Sequence, residues 1–279
     1  MYIVSMGIHV NYVFVRHGQG CHNAIKTLYN KGQISRAVLN EFNTSRYFDP
    51  ELTEVGVNVS MHNGSIISQI LSRIKGLESI NVVGCSPLIR CMETAYYMTR
   101  TWANPPKKIY VFPFLREIDE SSNNKYSQES LVVIDSTSSY AMKSIDEQKA
   151  YLQSIGILQY FDFSFVENFS HGRKSPGDIE MFIGWFSRSF LPLIPSVNKL
   201  NVFITTHAGV LRDFSDMGYV NNSGFIVHTK AEGGRVESSG FTDLTNLLPS
   251  SFFMDYSIIE HSSTYSSKTR CSILQKRNL

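Results

Sequence analysis

Short runs of β-branched and aromatic residues alternate along this chain with longer stretches of helical periodicity, and no other feature narrows the fold as much. His9 to Val15 (HVNYVFV) is the strongest strand signal, and it ends abruptly at Arg16-His17-Gly18. Ile80 to Gly84 stops at Cys85-Ser86-Pro87, Lys108 to Phe112 stops at Pro113, and Leu200 to Thr205 stops at Thr206-His207-Ala208-Gly209. Gly224 to Thr229 is a fifth candidate. Between them, Thr53 to Ile74 repeats Val55, Val59, Ile66, Ile70 and Ile74 at mostly helical spacing, with Thr53 placed as N-cap. Pro87 to Trp102 puts proline in a first turn, and Ser175-Pro176-Gly177-Asp178 resembles a capping box leading into Ile179 to Leu191. The pattern predicts a three-layer α/β/α sandwich around a mostly parallel sheet, with ligands bound just beyond strand ends.

One domain accommodates residues 1–279, with two regions outside the periodic pattern. Residues 121–170 read as an insertion, either a lid over the site or surface decoration; Ile145 to Ile155 within it reads as a short helix. Leu158 to Phe169 holds four Phe and one Tyr, a packing stretch rather than a base-stacking platform, since no basic residues interleave it. Residues 261–279 carry four basic side chains and no acidic one, as a frayed tail would.

Charge excludes one class of partner. With 26 basic against 24 acidic residues there is no nucleic-acid footprint, although a local cluster would suffice for a small anion. No stretch approaches the ~18 apolar residues of a membrane span. Cys21, Cys85, Cys91 and Cys271 are too few and too irregular for a disulfide scaffold, and no CxxC pair suggests zinc. These features predict a soluble, cytoplasmic protein.

The chemistry-bearing residues lie at or soon after strand ends. They are Arg16-His17-Gly18-Gln19 with Asn23, then Ser86, Arg90 and Thr94 in CSPLIRCMETA, then Glu117 in FLREIDE, then His207 in TTHAGVLRD. Asp49-Pro50-Glu51-Leu52-Thr53 with Gly56 adds a further segment. In order and context this set resembles the histidine phosphatase superfamily, in its phosphoglycerate-mutase-like branch, over residues 9–120 and 175–230. The resemblance implies a metal-free, cofactor-free phosphomonoesterase with the RHG motif at its centre. His17 is then the nucleophile, forming a phosphohistidine, with a backbone carbonyl, that of Gly18, holding its other ring nitrogen. Glu117 is the acid and then the base, ahead of the nearby Asp119 and Glu120.

Elementary chemistry points the same way. A phosphoryl dianion calls for planar, bidentate donors, which Arg16 and Arg90 supply. His207, if protonated, adds a third positive donor, Asn23 adds an amide, and the helix after Gly18 is expected to turn its first N–H groups toward the anion. The substrate is then a small phosphorylated molecule or a phosphopeptide. His22 lines the pocket or merely neighbours it, and the bases of His171-Gly172-Arg173-Lys174 could hold the far end of a substrate. The tryptophan of the mutases' RHGESxWN is missing, and FLREIDESSNNKYS is more similar to the acid-bearing region of phosphatases than to that of mutases. Mutase-type phosphoryl transfer and a weakly catalytic phospho-ligand module are the alternatives.

Overall fold

The structure, a computed structural model, describes residues 8–39, 49–118, 143–169, 177–195, 197–214, 225–231 and 242–243. Its strands are β1 (His9–Arg16), β2 (Val82–Cys85), β3 (Ile109–Val111), β4 (Phe161–Asp162), β5 (Lys199–Thr206), β6 (Phe225–Ala231) and β7 (Thr242–Asp243). They form one sheet in the order β4-β3-β2-β5-β1-β6-β7. All pairs from β4 to β1 are parallel, and β6 and β7 are added antiparallel. The helices are α1 (Cys21–Asn30), α2 (Glu54–Leu71), α3 (Ile89–Arg100), α4 (Ile145–Ser154), α5 (Ser164–Glu167), α6 (Ile179–Trp185) and α7 (Ala208–Phe214).

The strands read as unbroken apolar runs because both faces of the sheet are covered. Along β1, Val13 and Val15 enter one core cluster with α2, α3 and α4, while Tyr12 and Phe14 enter the other with α6 and α7. On β5, Phe203 joins the first cluster, and Val202 and Ile204 join the second. This is the period-two alternation of a strand sandwiched between helical layers, so the fold is the three-layer α/β/α sandwich. The second cluster is largely aromatic: Phe112 meets Phe182, Phe186 and Phe190 with ring centroids 5.7, 5.8 and 5.0 Å apart. Truncating a ring at such a position costs about 3–5 kcal/mol.

Several boundaries differ from the sequence reading for local reasons. Thr53 does cap α2, accepting a hydrogen bond from the Gly56 N–H at 2.9 Å. Pro87 lies before α3 rather than in its first turn, since Leu88 is the N-cap. Asp178, not Ser175, caps α6, accepting from Met181 N–H at 2.9 Å; Ser175 lies outside the described residues. The helix expected to run to Leu191 is α-helical only to Trp185, then widens into a π turn (Phe186–Phe190) and tightens to a 3₁₀ turn. Within the span read as an insertion, residues 143–169 are built into the molecule. Phe161 and Asp162 form the sheet edge, and Leu152, Phe161, Phe163 and Val166 are buried in the first cluster. Residues 121–142, the loop 171–175 and the tail 261–279 lie outside the described residues. No helix among the described residues is long and apolar enough to cross a membrane.

Candidate active site

The sheet brings the sequence-predicted residues together at the C-terminal ends of three adjacent strands. Arg16 ends β1 and His17 follows it; Ser86 follows β2, and His207 follows β5. Because β5 lies between β1 and β2, residues 190 positions apart in sequence become neighbours. The imidazoles of His17 and His207 meet at 5.0 Å between ring centroids, and the His22 ring sits 5.7 Å from that of His17. The sequence alone left His22 undecided; the turn through Gly20 into α1 carries it to the site.

Arg90, on the first turn of α3, is the hub, and it is only 1% exposed. Its Nε lies 3.3 Å from His17 Nε2 and its Nη2 lies 3.4 Å from His207 Nδ1. Arginine can only donate, so both facing nitrogens are lone pairs and both tautomers follow by assignment. His17 then carries its proton on Nδ1, which donates to the Gly18 carbonyl at 2.6 Å. His207 carries its proton on Nε2, 2.8 Å from Ser86 Oγ. Thr94 ties the two halves: its hydroxyl donates to the Arg90 carbonyl at 2.7 Å and accepts from Gly18 N–H at 2.9 Å. Gly18 is required by close approach: a Cβ there would stand 2.6 Å from Ser60 Oγ and 3.0 Å from the Gly56 carbonyl oxygen.

Electrostatics set the protonation states. Burial, with the charges of Arg90 and Arg16, holds His17 well below the usual histidine range. Burial, then Arg90 and His17, does the same to His207, so the protonation on which its role as a third positive donor depends is disfavoured until an anion binds. Glu117 moves the other way: burial raises its carboxyl, against the opposing pull of Arg90, the Ile118 and Gly209 N–H groups and Arg16. Its Oε1 accepts from Ile118 N–H at 3.0 Å and Gly209 N–H at 3.1 Å, and its Oε2 lies 3.8 Å from His207 Nδ1.

Asn23 lies in the first turn of α1, and its side-chain oxygen accepts from Gly20 N–H at 3.0 Å, which leaves its amide NH₂ as the group that can donate to a ligand. The start of α1 offers less than expected. Cys21 N–H donates to the Glu51 carbonyl at 3.0 Å, and Asn23 and Ala24 N–H both donate to the Gly20 carbonyl. Cys21 is disulfide-bonded, which the cysteine spacing did not suggest. Cys85 and Cys91 are free and buried, with thiols pushed up by burial, so neither is a reactive thiolate. Asp119 and Glu120 lie outside the described residues. Among the described residues, His17, Glu117 and His207 form the one cluster whose ligand atoms, all within 4.8 Å of one another, could hold a metal ion. The Arg90 guanidinium sits against both imidazoles and disfavours a divalent cation there.

No protein family's sequence profile matches the chain, and no curated protein matches it. Among solved structures the chain is similar to the ecdysone phosphate phosphatase from Bombix mori, at 17% identity and TM-score 0.45, over 85% of this chain and 99% of that one. It is similar to the phosphoglycerate mutase from Bacillus anthracis str. Sterne at 17% identity and TM-score 0.41, over 83% and 93% of the two chains. The protein histidine phosphatase SixA gives 13% identity and TM-score 0.36, over 85% and 99%. The first and third of these structures hold tungstate.

Proposed function

We propose that this chain is a member of the histidine phosphatase superfamily that hydrolyses phosphomonoesters through a phosphohistidine at His17. One observation carries the reading: His17 is buried, neutral, clamped through Nδ1 by Gly18, and turns the lone pair of Nε2 toward the Arg90 guanidinium. That places the nucleophilic nitrogen beside the cation that is to hold the phosphoryl group it attacks.

In the first step the Nε2 lone pair attacks phosphorus in line, the P–N bond forms, and the ester P–O bond breaks. Glu117, whose raised carboxyl favours the protonated form, gives its proton to the leaving oxygen. In the second step the Glu117 carboxylate takes a proton from water as that oxygen attacks phosphorus. The P–N bond breaks, phosphate departs, and both His17 and Glu117 return to their starting forms. Arg16, Arg90 and the Asn23 amide hold the equatorial oxygens, as fixed donors stabilise a phosphoryl transition state. A bound dianion also draws His207 toward its protonated, donating form. Two guanidinium groups do the charge neutralisation that a metal ion supplies elsewhere, so the reaction is metal-independent.

The test is phosphate release from aryl, nucleotide, sugar, inositol and glycerate phosphates and a phosphotyrosine peptide, in EDTA, with wild type and His17→Ala. Expected is release by the wild type, loss in the variant, and an acid-labile, alkali-stable phosphoenzyme trapped from labelled substrate. Release that survives in His17→Ala, or that EDTA abolishes, would refute the reading.

A further inference from the structure

Asp49-Pro50-Glu51-Leu52-Thr53 has no part in the chemistry above, yet it is where the scaffold of the site converges. From the His17 loop, Cys21 N–H donates to the Glu51 carbonyl, and Thr53 N–H donates to the Gln19 carbonyl at 2.9 Å. From α3, Ile89 N–H donates to Asp49 Oδ1 at 2.7 Å, and Glu93 Oε2 accepts from Leu52 N–H at 2.6 Å. Asp49 thus caps the helix that carries Arg90 one residue further on, from 40 positions away in sequence. It does so at a φ of 49°, a left-handed conformation that aspartate adopts more readily than most residues, and further bonds hold it there.

That anchoring comes from α4. Gln148 and Tyr151, one turn apart, lie on the same helix face. Gln148 Nε2 donates to Asp49 Oδ2 at 2.5 Å and to the Pro87 carbonyl at 2.7 Å. Tyr151 O–H donates to Glu93 Oε1 at 2.9 Å. Lys143 Nζ adds a bond to the Asp49 carbonyl at 3.0 Å. Asp49, Glu93 and Gln148 are all fully buried, so each bond lost leaves a polar atom without water to replace it.

We propose that α4 is a positioning element for the phosphoryl pocket: Gln148 and Tyr151 fix Asp49 and Glu93, and through them the start of α3 and the guanidinium of Arg90. The inference rests on the phosphoryl-pocket reading of the site. Gln148 and Tyr151 touch no reacting atom; they act through Arg90, whose contacts to His17 and His207 leave little room for displacement. Without Gln148, the Asp49 carboxylate and the Pro87 carbonyl must turn or admit water, and either response moves Ile89 and Arg90 together.

The experiment compares wild type, Gln148→Met and Tyr151→Phe, each close in volume to the native side chain. Orthovanadate affinity and stoichiometry are measured by calorimetry, kcat and KM with an aryl phosphate, and melting temperature alongside. Misplacing a reacting group by 1 Å costs about a hundredfold, so a partial shift in Gln148→Met is expected to weaken kcat/KM and vanadate affinity about tenfold. Tyr151→Phe is expected to weaken both about threefold, with one vanadate per folded chain in every case. Variants that melt lower yet keep wild-type vanadate affinity and KM would overturn the proposal, leaving α4 merely structural. If Gln148→Met does not fold, an unchanged affinity in Tyr151→Phe overturns it. A wild type that binds no vanadate overturns both this proposal and the phosphatase reading, whereas wild-type binding with unaffected variants overturns this proposal alone.

Discussion

Replacing Arg90 with methionine should stabilise the protein while abolishing its activity. Arg90 is 1% exposed, its Nη1 is buried without a hydrogen-bond partner, and its other two nitrogens make only long contacts to imidazoles, at 3.3 and 3.4 Å. Among the described residues no carboxylate lies within ion-pair distance of it, the two ion pairs being Lys149–Glu167 and His207–Glu117. A buried unsatisfied donor costs about 1–3 kcal/mol, and a buried ion without a close counter-charge costs more. Methionine keeps most of the aliphatic stem and removes both penalties. Against this stands the longer-range attraction of Arg90 for Glu117 and Asp49, whose carboxyls it pulls down against the upward push of burial. The balance is a gain of about 1–3 kcal/mol; at roughly 2–4 °C per kcal/mol for a chain of this size, the melting temperature rises by about 2–12 °C. Calorimetric melts with and without orthovanadate test it. Vanadate at 100 times its Kd should add about 2.7 kcal/mol of stability to the wild type and nothing to Arg90→Met. Phosphatase activity of the variant should fall by at least about 10²-fold. A variant that melts below the wild type, or that keeps activity within tenfold, would refute the reasoning that this charge is held uncompensated for the substrate.

Glu117→Gln should lower kcat/KM, which reports the first step alone, by about 10²–10⁴-fold for alkyl phosphates and far less for p-nitrophenyl phosphate, because an aryl oxide leaves without a proton; equal losses of kcat/KM on both would remove Glu117 from the acid role. Stability should fall as pH drops from 7.5 to 5.5. His17, His22 and His207 are held below their unfolded value of about 6.5, so the stability they contribute is present above that pH and lost below it, by up to about 1.4 kcal/mol per pH unit each. The raised carboxyls of Glu117 and Asp49 act in the opposite sense but are two against three, so a urea midpoint that holds or rises over this range contradicts the assignment. Thr53→Ala should destabilise by about 1–2 kcal/mol, the cost of an N-cap, measured by urea denaturation. Its hydroxyl also donates to Gln19 Oε1 at 2.8 Å, next to the His17 loop, so KM should rise as well; a change in stability with KM intact would confine Thr53 to capping.

The central strands were legible because both faces of β1 and β5 are buried, which writes itself into the sequence as near-continuous apolar runs. The edge strand β4 was not, because two residues within an aromatic stretch carry no period of their own. Phe161 and Phe163 face the first cluster while Phe165 packs on Tyr110 and Phe112 of the second, so that stretch wraps the sheet edge instead of decorating the surface. Among the candidate site residues, Arg16, His17, Arg90, Glu117 and His207 were picked out by motifs at or soon after strand ends and by the family resemblance those motifs carry. Their protonation could not be, since it depends on burial and on which cations the fold gathers: His207 is the clearest case. Nor could Gln148, whose partner Asp49 is 99 positions away and whose own surroundings look like any helix surface.

The distribution of charge around α3 explains why such remote anchors exist. A carboxylate paired directly with Arg90 would hold the helix in place, but it would also neutralise the charge that a phosphoryl group must find. The fold instead sets its buried carboxylates one layer back, on backbone N–H groups: Asp49 on Ile89 and Glu93 on Leu52. Those two carboxylates need further donors of their own, and a lysine in the same place would bring another charge to bury. A neutral amide and a phenol, Gln148 and Tyr151, donate to the two carboxyls themselves, while the one nearby lysine among the described partners, Lys143, sits on the Asp49 backbone carbonyl. Arg90 thus faces the two imidazoles, the carboxyls of Asp49 and Glu93 face the scaffold, and α3 is the rigid piece between them. Substitutions that introduce charge at Gln148 should therefore damage phosphoryl binding more than neutral ones of equal size, with Gln148→Glu worse than Gln148→Met. The reverse order in vanadate affinity would show that packing alone, and not the separation of charge, sets Arg90.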